Sequence, residues 1–270
     1  MTAAASAVQR LDVVSADGTR LAVWSEGTGP PLVMVHGSLS DHTRFDPLVA
    51  ELRGSFTTFA MDRRGFGASG DAADYDIERE FEDVAAVVEA VATSTGEPVA
   101  LWGHSYGANC AMGGAARTAG VHHLVLYEPS LGLTFPAGAL DAVERALADG
   151  DRERAIMLVF ADVLEMDHDE VEAMKTSPLW PMRLATAPTV LRESRTEEGW
   201  VWQAGQFDGI TAPTLMLAGS ESPGPLAECT RRAAAAIPGA RARNLSGHGH
   251  MAHITDPAMV ARIIEEFVGA

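Results

Sequence analysis

Short apolar runs recur along the chain, separated by longer stretches in which apolar residues return every three or four positions. Near-continuous apolar runs fit strands buried on both faces, and the helical spacing fits helices with one apolar side. The runs predict core strands at 31–35, 56–61, 99–102, 124–127, 214–218 and 242–245. Segments 11–14 and 20–24 pair as a leading hairpin around Asp17-Gly18. Strand and helix alternate, which predicts an α/β fold: a mostly parallel sheet with helices on both faces. The last helix opens with Asp256 as N-cap and Pro257 at its first position, then places Met259, Ile263, Ile264 and Phe267 on one face.

The rhythm breaks after Tyr127, since no further strand is expected until Thr214. The intervening stretch reads as helices at 139–148, 152–165, 170–177 and 189–198, bounded by Gly150, Pro178, Pro181 and Pro188. Asp167 and Glu170 look like a capping pair there. An inserted helical cap over 131–205 is therefore expected, within a core made of 1–130 and 206–270.

Composition narrows the partners. With 270 residues and 47% hydrophobic content the chain has enough apolar material for a large core. A formal charge of −17 repels nucleic acid and anionic membranes. The acids crowd into 71–89 and 141–172, where they are expected to form solvated helix faces. The first ten residues lack a basic segment leading into a long apolar stretch, so no secretory signal is expected, and no run is long enough to span a bilayer. Two cysteines, Cys110 and Cys229, allow neither a disulfide framework nor a cysteine zinc site, so a reducing cytoplasm is the expected location. No metal or organic cofactor is expected. The chain is read as a monomer or homodimer.

The chemistry centres on Gly103-His104-Ser105-Tyr106-Gly107, which follows an apolar run and opens a small-residue helix. A serine on such a strand-to-helix turn is held in strained backbone and presented above the sheet. A serine hydroxyl needs a base, and the base needs an acid to orient it. The histidine-rich loop Ser246-Gly247-His248-Gly249-His250-Met251-Ala252-His253 offers three candidate bases.

Together these motifs resemble the α/β-hydrolase superfamily, with a match in motif order from about Val14 onward. His36-Gly37-Ser38 resembles that family's oxyanion loop, Asp62-Arg63-Arg64-Gly65-Phe66-Gly67-Ala68-Ser69 its D-x-x-G-x-G-x-S turn, and Gly249-His250-Met251-Ala252 its terminal histidine loop. The resemblance implies Ser105 as nucleophile and His250 as base, with His248 and His253 as loop or pocket residues and His36 and His104 as structural ones. Backbone N–H groups of Tyr106 and Ser38 would form the oxyanion hole.

The acid departs from the family pattern. After the seventh strand the chain reads Gly219-Ser220-Glu221-Ser222-Pro223, with Ser222 in the usual aspartate slot. Either Glu221 reaches from one position earlier, or the acid is Glu128 at the end of strand six, as in certain haloalkane dehalogenases and zearalenone-type lactonases. Glu128 is preferred, because a carboxylate ending a buried strand needs a partner.

Aromatic and methionine residues in the inserted segment suggest an apolar pocket ceiling, with Trp180 as one wall, and Gly37 is expected to line the substrate pocket. A serine nucleophile points to acyl chemistry on a small, largely apolar ester or lactone. A metal-free perhydrolase, a C–C bond hydrolase, a thioesterase or a hydroxynitrile lyase would use similar residues. A slow or non-catalytic ligand-binding module of the same fold is the reading from a different class.

Overall fold

A computed structural model describes residues 8–163, 166 and 168–269. The strands are β1 Gln9–Val14, β2 Arg20–Gly27, β3 Pro31–Val35, β4 Thr57–Met61, β5 Val99–His104, β6 Val121–Tyr127, β7 Thr214–Gly219 and β8 Arg241–Leu245. The helices are α1 Asp46–Leu52, α2 Ile77–Thr95, α3 Tyr106–Ala115, α4 Ala139–Ala148, α5 Arg152–Leu158, α6 His168–Met174, α7 Trp180–Gly199, α8 Gly224–Ala236, α9 Ala252–Thr255 and α10 Pro257–Val268. Among the described residues no helix is long and apolar enough to cross a membrane.

The strands form one sheet in the order β1-β2-β4-β3-β5-β6-β7-β8. β2 pairs antiparallel with β1 and β4, and every later pairing is parallel. Pleating divides the apolar runs between two faces. Leu32, Met34, Trp102, Tyr127 and Leu217 turn into a core completed by Phe45, Leu48, Val260 and Ile264. The alternate residues, such as Val33 and Leu101, lie on the opposite face, and α2 and α3 pack on β3 and β5. The helix signals work as read. Asp76 caps α2 by accepting from the Glu78 N–H, Asp256 caps α10 by accepting from the Met259 N–H, and Pro257 sits in the first turn.

The chain divides into two compact units. One holds the segments up to Gly37, Asp41–Ser130 and from Trp202 onward; the other holds Ser38–Ser40 and Leu131–Val201. The second unit has its own apolar core, built by Leu39, Leu140, Val143, Ile156, Phe160 and Val190. Trp180, expected as a pocket wall, is 7% exposed and belongs to this core, and packing inside the unit accounts for its burial.

The helices of this unit differ from expectation in instructive ways. α5 stops at Leu158 and continues as a wider π-helical turn over Val159–Val163. The segment expected to begin only after Pro188 is one helix from Trp180 to Gly199. Pro181 falls in its first turn, where a missing N–H costs nothing, so it starts the helix rather than ending the preceding one. Pro188 lies inside and cannot donate to the carbonyl of Leu184, which instead accepts from Arg152 Nη1 at 3.4 Å. Of the expected capping pair, Asp167 lies outside the described residues and Glu170 falls within α6.

The acidic faces need one correction. Glu80 and Asp83, expected in solvent, are buried on α2 against Arg63 and Arg64, both fully buried. Arg63 reaches Glu80 at 2.7 and 2.9 Å, and Arg64 reaches Asp83 at 2.6 and 2.7 Å. Bidentate pairing makes burial of these charges tolerable, and the partners are too distant in sequence for local charge patterning to reveal them.

Asp62 organises the turn after β4. Its buried carboxylate accepts from the His42 ring at 2.7 Å, and at 3.0 Å from each of the His42 N–H, the Ala68 N–H and the Trp24 indole. Burial pushes Asp62 up, but these hydrogen bonds outweigh it and hold its pKa at about 2. Burial likewise pushes His42 down, yet the bond and charge of Asp62, with Asp41 and Asp46, raise it above 6.5. A raised pKa gives stability that is complete below the unfolded value of 6.5 and is lost as pH rises through the folded value. The depressed Asp62 contributes stability above 3.8 that is lost as pH falls toward about 2. The His42 ring signal in NMR is therefore expected to titrate above 6.5, and His42→Phe, which keeps a ring against Trp24, is expected to flatten the fall in denaturation midpoint on the alkaline side of that value. Titration at or below 6.5 would overturn this account.

Candidate active site

β5 ends at His104, α3 begins at Tyr106, and Ser105 alone makes the turn between them. Its backbone stands at φ 58° and ψ −129°, outside the regions open to ordinary L-residues. Strain of this kind costs about 1–3 kcal/mol and persists only where surrounding contacts impose it. Here the Ser105 N–H donates to the Tyr127 carbonyl at 2.9 Å, and the Ala108 N–H donates to the Ser105 carbonyl at 2.8 Å. Gly107 allows the tight passage, because a Cβ there would stand 2.3 Å from the carbonyl oxygens of Val35 and His36. Gly37 abuts the serine, since its Cβ would come within 2.9 Å of Ser105 Cβ. Tyr106 opens α3, so its N–H lies in the first turn, where no intrahelical acceptor exists.

A second non-glycine residue with positive φ ends the adjacent strand. Glu128 follows β6 at φ 50° and is fully buried. Both carboxylate oxygens are used: Oε1 accepts from the Gly219 N–H at 2.6 Å and Oε2 lies 2.6 Å from His250 Nδ1. His250 thus presents Nδ1 to a carboxylate and keeps Nε2 for another partner. Glu221, the alternative acid, is exposed, and its N–H donates to the His248 carbonyl at 3.0 Å. Ser222 follows in the same turn after β7.

The remaining histidines have distinct surroundings. His248 lies 3.8 Å from Asp256, and His253 is fully buried with no hydrogen-bond partner at either ring nitrogen among the described residues. Burial, followed by the charges of Arg44 and His250, pushes His253 well below 6.5, so it is neutral. His36 is also buried: Nδ1 lies 2.8 Å from the Gly37 carbonyl and Nε2 accepts from the Arg63 N–H at 3.1 Å. Burial and then the Arg63 charge lower its pKa to about 4, which keeps Nδ1–H as the donor. Because a peptide group is planar, holding the Gly37 carbonyl also fixes the direction of the Ser38 N–H on the other edge of the same plane.

The sequence reading missed two contributors. The Gly219 N–H, which helps hold Glu128, carries no side-chain signal. The tie from Arg63 through Glu80 to the half-buried Tyr75 hydroxyl, and from there to the Tyr106 hydroxyl at 2.7 Å, joins residues scattered along the chain.

Residues 32–263 match the model of the alpha/beta hydrolase family. An alpha/beta hydrolase from Sphaerobacter thermophilus is 31% identical, with a TM-score of 0.83, and the alignment covers 96% of this chain and 100% of that one. An esterase from Rhodococcus sp. ECU1013 shares the fold at 24% identity and a TM-score of 0.72, over 97% of this chain and 98% of the esterase. A 2-(acetamidomethylene)succinate hydrolase from Mesorhizobium japonicum is 35% identical over 98 residues, which is 36% of this chain and 34% of that relative's length. With a family match across most of its length and one solved relative aligned end to end above 30% identity, the chain belongs to the alpha/beta hydrolase family.

Proposed function

We propose that the protein is a serine hydrolase that cleaves a carboxylic ester or lactone through an acyl-enzyme on Ser105. The observation that carries this reading is the 2.6 Å contact between His250 Nδ1 and the buried carboxylate of Glu128, which follows β6, the strand paired with the one that leads into Ser105. In this mechanism Ser105 Oγ attacks the substrate carbonyl carbon and its proton passes to His250 Nε2. Glu128 holds the Nδ1 proton and stabilises the imidazolium. The tetrahedral oxyanion takes hydrogen bonds from the N–H groups of Tyr106 and Ser38. As the intermediate collapses, His250 returns the proton to the departing alkoxide oxygen. Water then gives a proton to His250 while its oxygen attacks the acyl carbon, which releases the acid and restores Ser105. Gly37, with no side chain beside Ser105, leaves room for the acyl group.

The test is intact-mass labelling by an activated fluorophosphonate, with Ser105→Ala and His250→Ala as controls. Wild type is expected to gain one phosphonyl group and both variants to gain none. Folded wild type that stays unlabelled would overturn the reading in favour of a ligand-binding role. A substrate panel of p-nitrophenyl esters and macrocyclic lactones would also include 2-(acetamidomethylene)succinate, the compound named for the Mesorhizobium relative.

A further inference from the structure

We propose that His104 and Tyr127 are positioning residues that together fix the backbone of His250, an inference that rests on reading His250 as the base. The two side chains occupy equivalent places. His104 and Tyr127 are register partners at the ends of β5 and β6, and each immediately precedes a residue of the proposed triad, Ser105 and Glu128. Their rings lie 5.3 Å apart and both reach the histidine loop.

The contacts are to backbone. The Tyr127 hydroxyl donates to the Gly249 carbonyl and accepts from the Ala252 N–H at 3.2 Å. His104 Nε2 donates to the His250 carbonyl at 2.9 Å. The Gly249 carbonyl belongs to the peptide plane before the His250 Cα, and the His250 carbonyl belongs to the plane after it. With both planes held, φ and ψ of His250 have no freedom left. The two side-chain torsions remain, and the Glu128 bond to Nδ1 fixes them. Nε2 is then held in one place, on a loop whose glycines, Gly247 and Gly249, would otherwise leave it loose.

The clamp also has suitable charge. His104 donates through Nε2 as the neutral imidazole. Burial, followed by the nearby His253, His250 and Arg44, pushes its pKa well below 6.5. Burial raises Tyr127, which keeps its phenolic proton available. The His104 ring stands 4.5 Å from that of His250, so a charged His250 meets an uncharged neighbour.

The experiment compares wild type with Tyr127→Phe, His104→Phe and His104→Gln in the full chain. The readouts are kcat and KM on a p-nitrophenyl ester, fluorophosphonate labelling rate, and amide hydrogen exchange at Ala252. Tyr127→Phe and His104→Phe are each expected to lower kcat by about 10- to 100-fold with KM within about twofold, because a displaced base costs chemistry rather than binding. His104→Gln, which keeps a donor, is expected to recover most of that loss, and Ala252 exchange is expected to quicken in Tyr127→Phe. Unchanged kcat in both phenylalanine variants together with unchanged Ala252 exchange would overturn the clamp. An unlabelled, inactive wild type would instead overturn the reading of His250 as base, and Ala252 exchange in Tyr127→Phe would still decide whether the loop is held in this way.

Discussion

Ser105→Ala is expected to lower kcat/KM on any ester the protein turns over by about 10⁴-fold or more, with little change in stability. In the proposed mechanism the hydroxyl supplies the bond-forming atom, so no neighbouring group would substitute for it. Residual activity would come only from binding and the oxyanion donors. The fold should tolerate the change because the contacts that hold the elbow are backbone ones, to Tyr127 and Ala108. Alanine bears the same strain at φ 58° as serine does. Steady-state kinetics with a denaturation curve for each protein checks both halves. A Ser105→Ala variant within tenfold of wild type would remove the serine from the chemistry.

The second large effect separates the two candidate acids. Glu128→Gln is expected to lower kcat by about 10³- to 10⁴-fold, whereas Glu221→Gln should stay within about twofold. The reason lies in proton position. A glutamine can still accept from the Gly219 N–H through its carbonyl oxygen, but it then turns an NH₂ toward His250 Nδ1. That nitrogen must become the acceptor, its proton moves to Nε2, and the base can no longer receive the serine proton. Volume is conserved, so the substitution tests tautomer rather than packing. Glu221 is exposed and engaged through its backbone, so its charge has no comparable hold on the ring. The opposite ranking of the two variants would assign the acid to Glu221.

Much of the sheet was legible because a parallel strand buried on both faces is a local signal. The runs at 31–35 and 99–102 lie within β3 and β5, and the last helix begins at its cap as expected. The boundaries that shifted did so for reasons outside the local pattern. β6 starts three residues early, at Val121, and carries His122 and His123 among its apolar residues. α7 runs through Pro188 because packing within the helical unit outweighs one lost hydrogen bond. Residues Ser38–Ser40 group with the helical unit although nearly a hundred residues separate them from Leu131.

By itself the sequence determined the α/β class, the turn that carries Ser105 and the loop that carries His250, because each depends on neighbours within a few residues. Glycine at 103 and 107 and the order of strand, serine and helix are sufficient for the elbow. The tertiary structure alone decided which carboxylate stands against the imidazole, which arginines neutralise Glu80 and Asp83, and which side chains grip the histidine loop. Those contacts join positions as far apart as Tyr127 and Gly249, separated by 122 residues, and no local propensity encodes a pairing that exists only once the strands lie side by side.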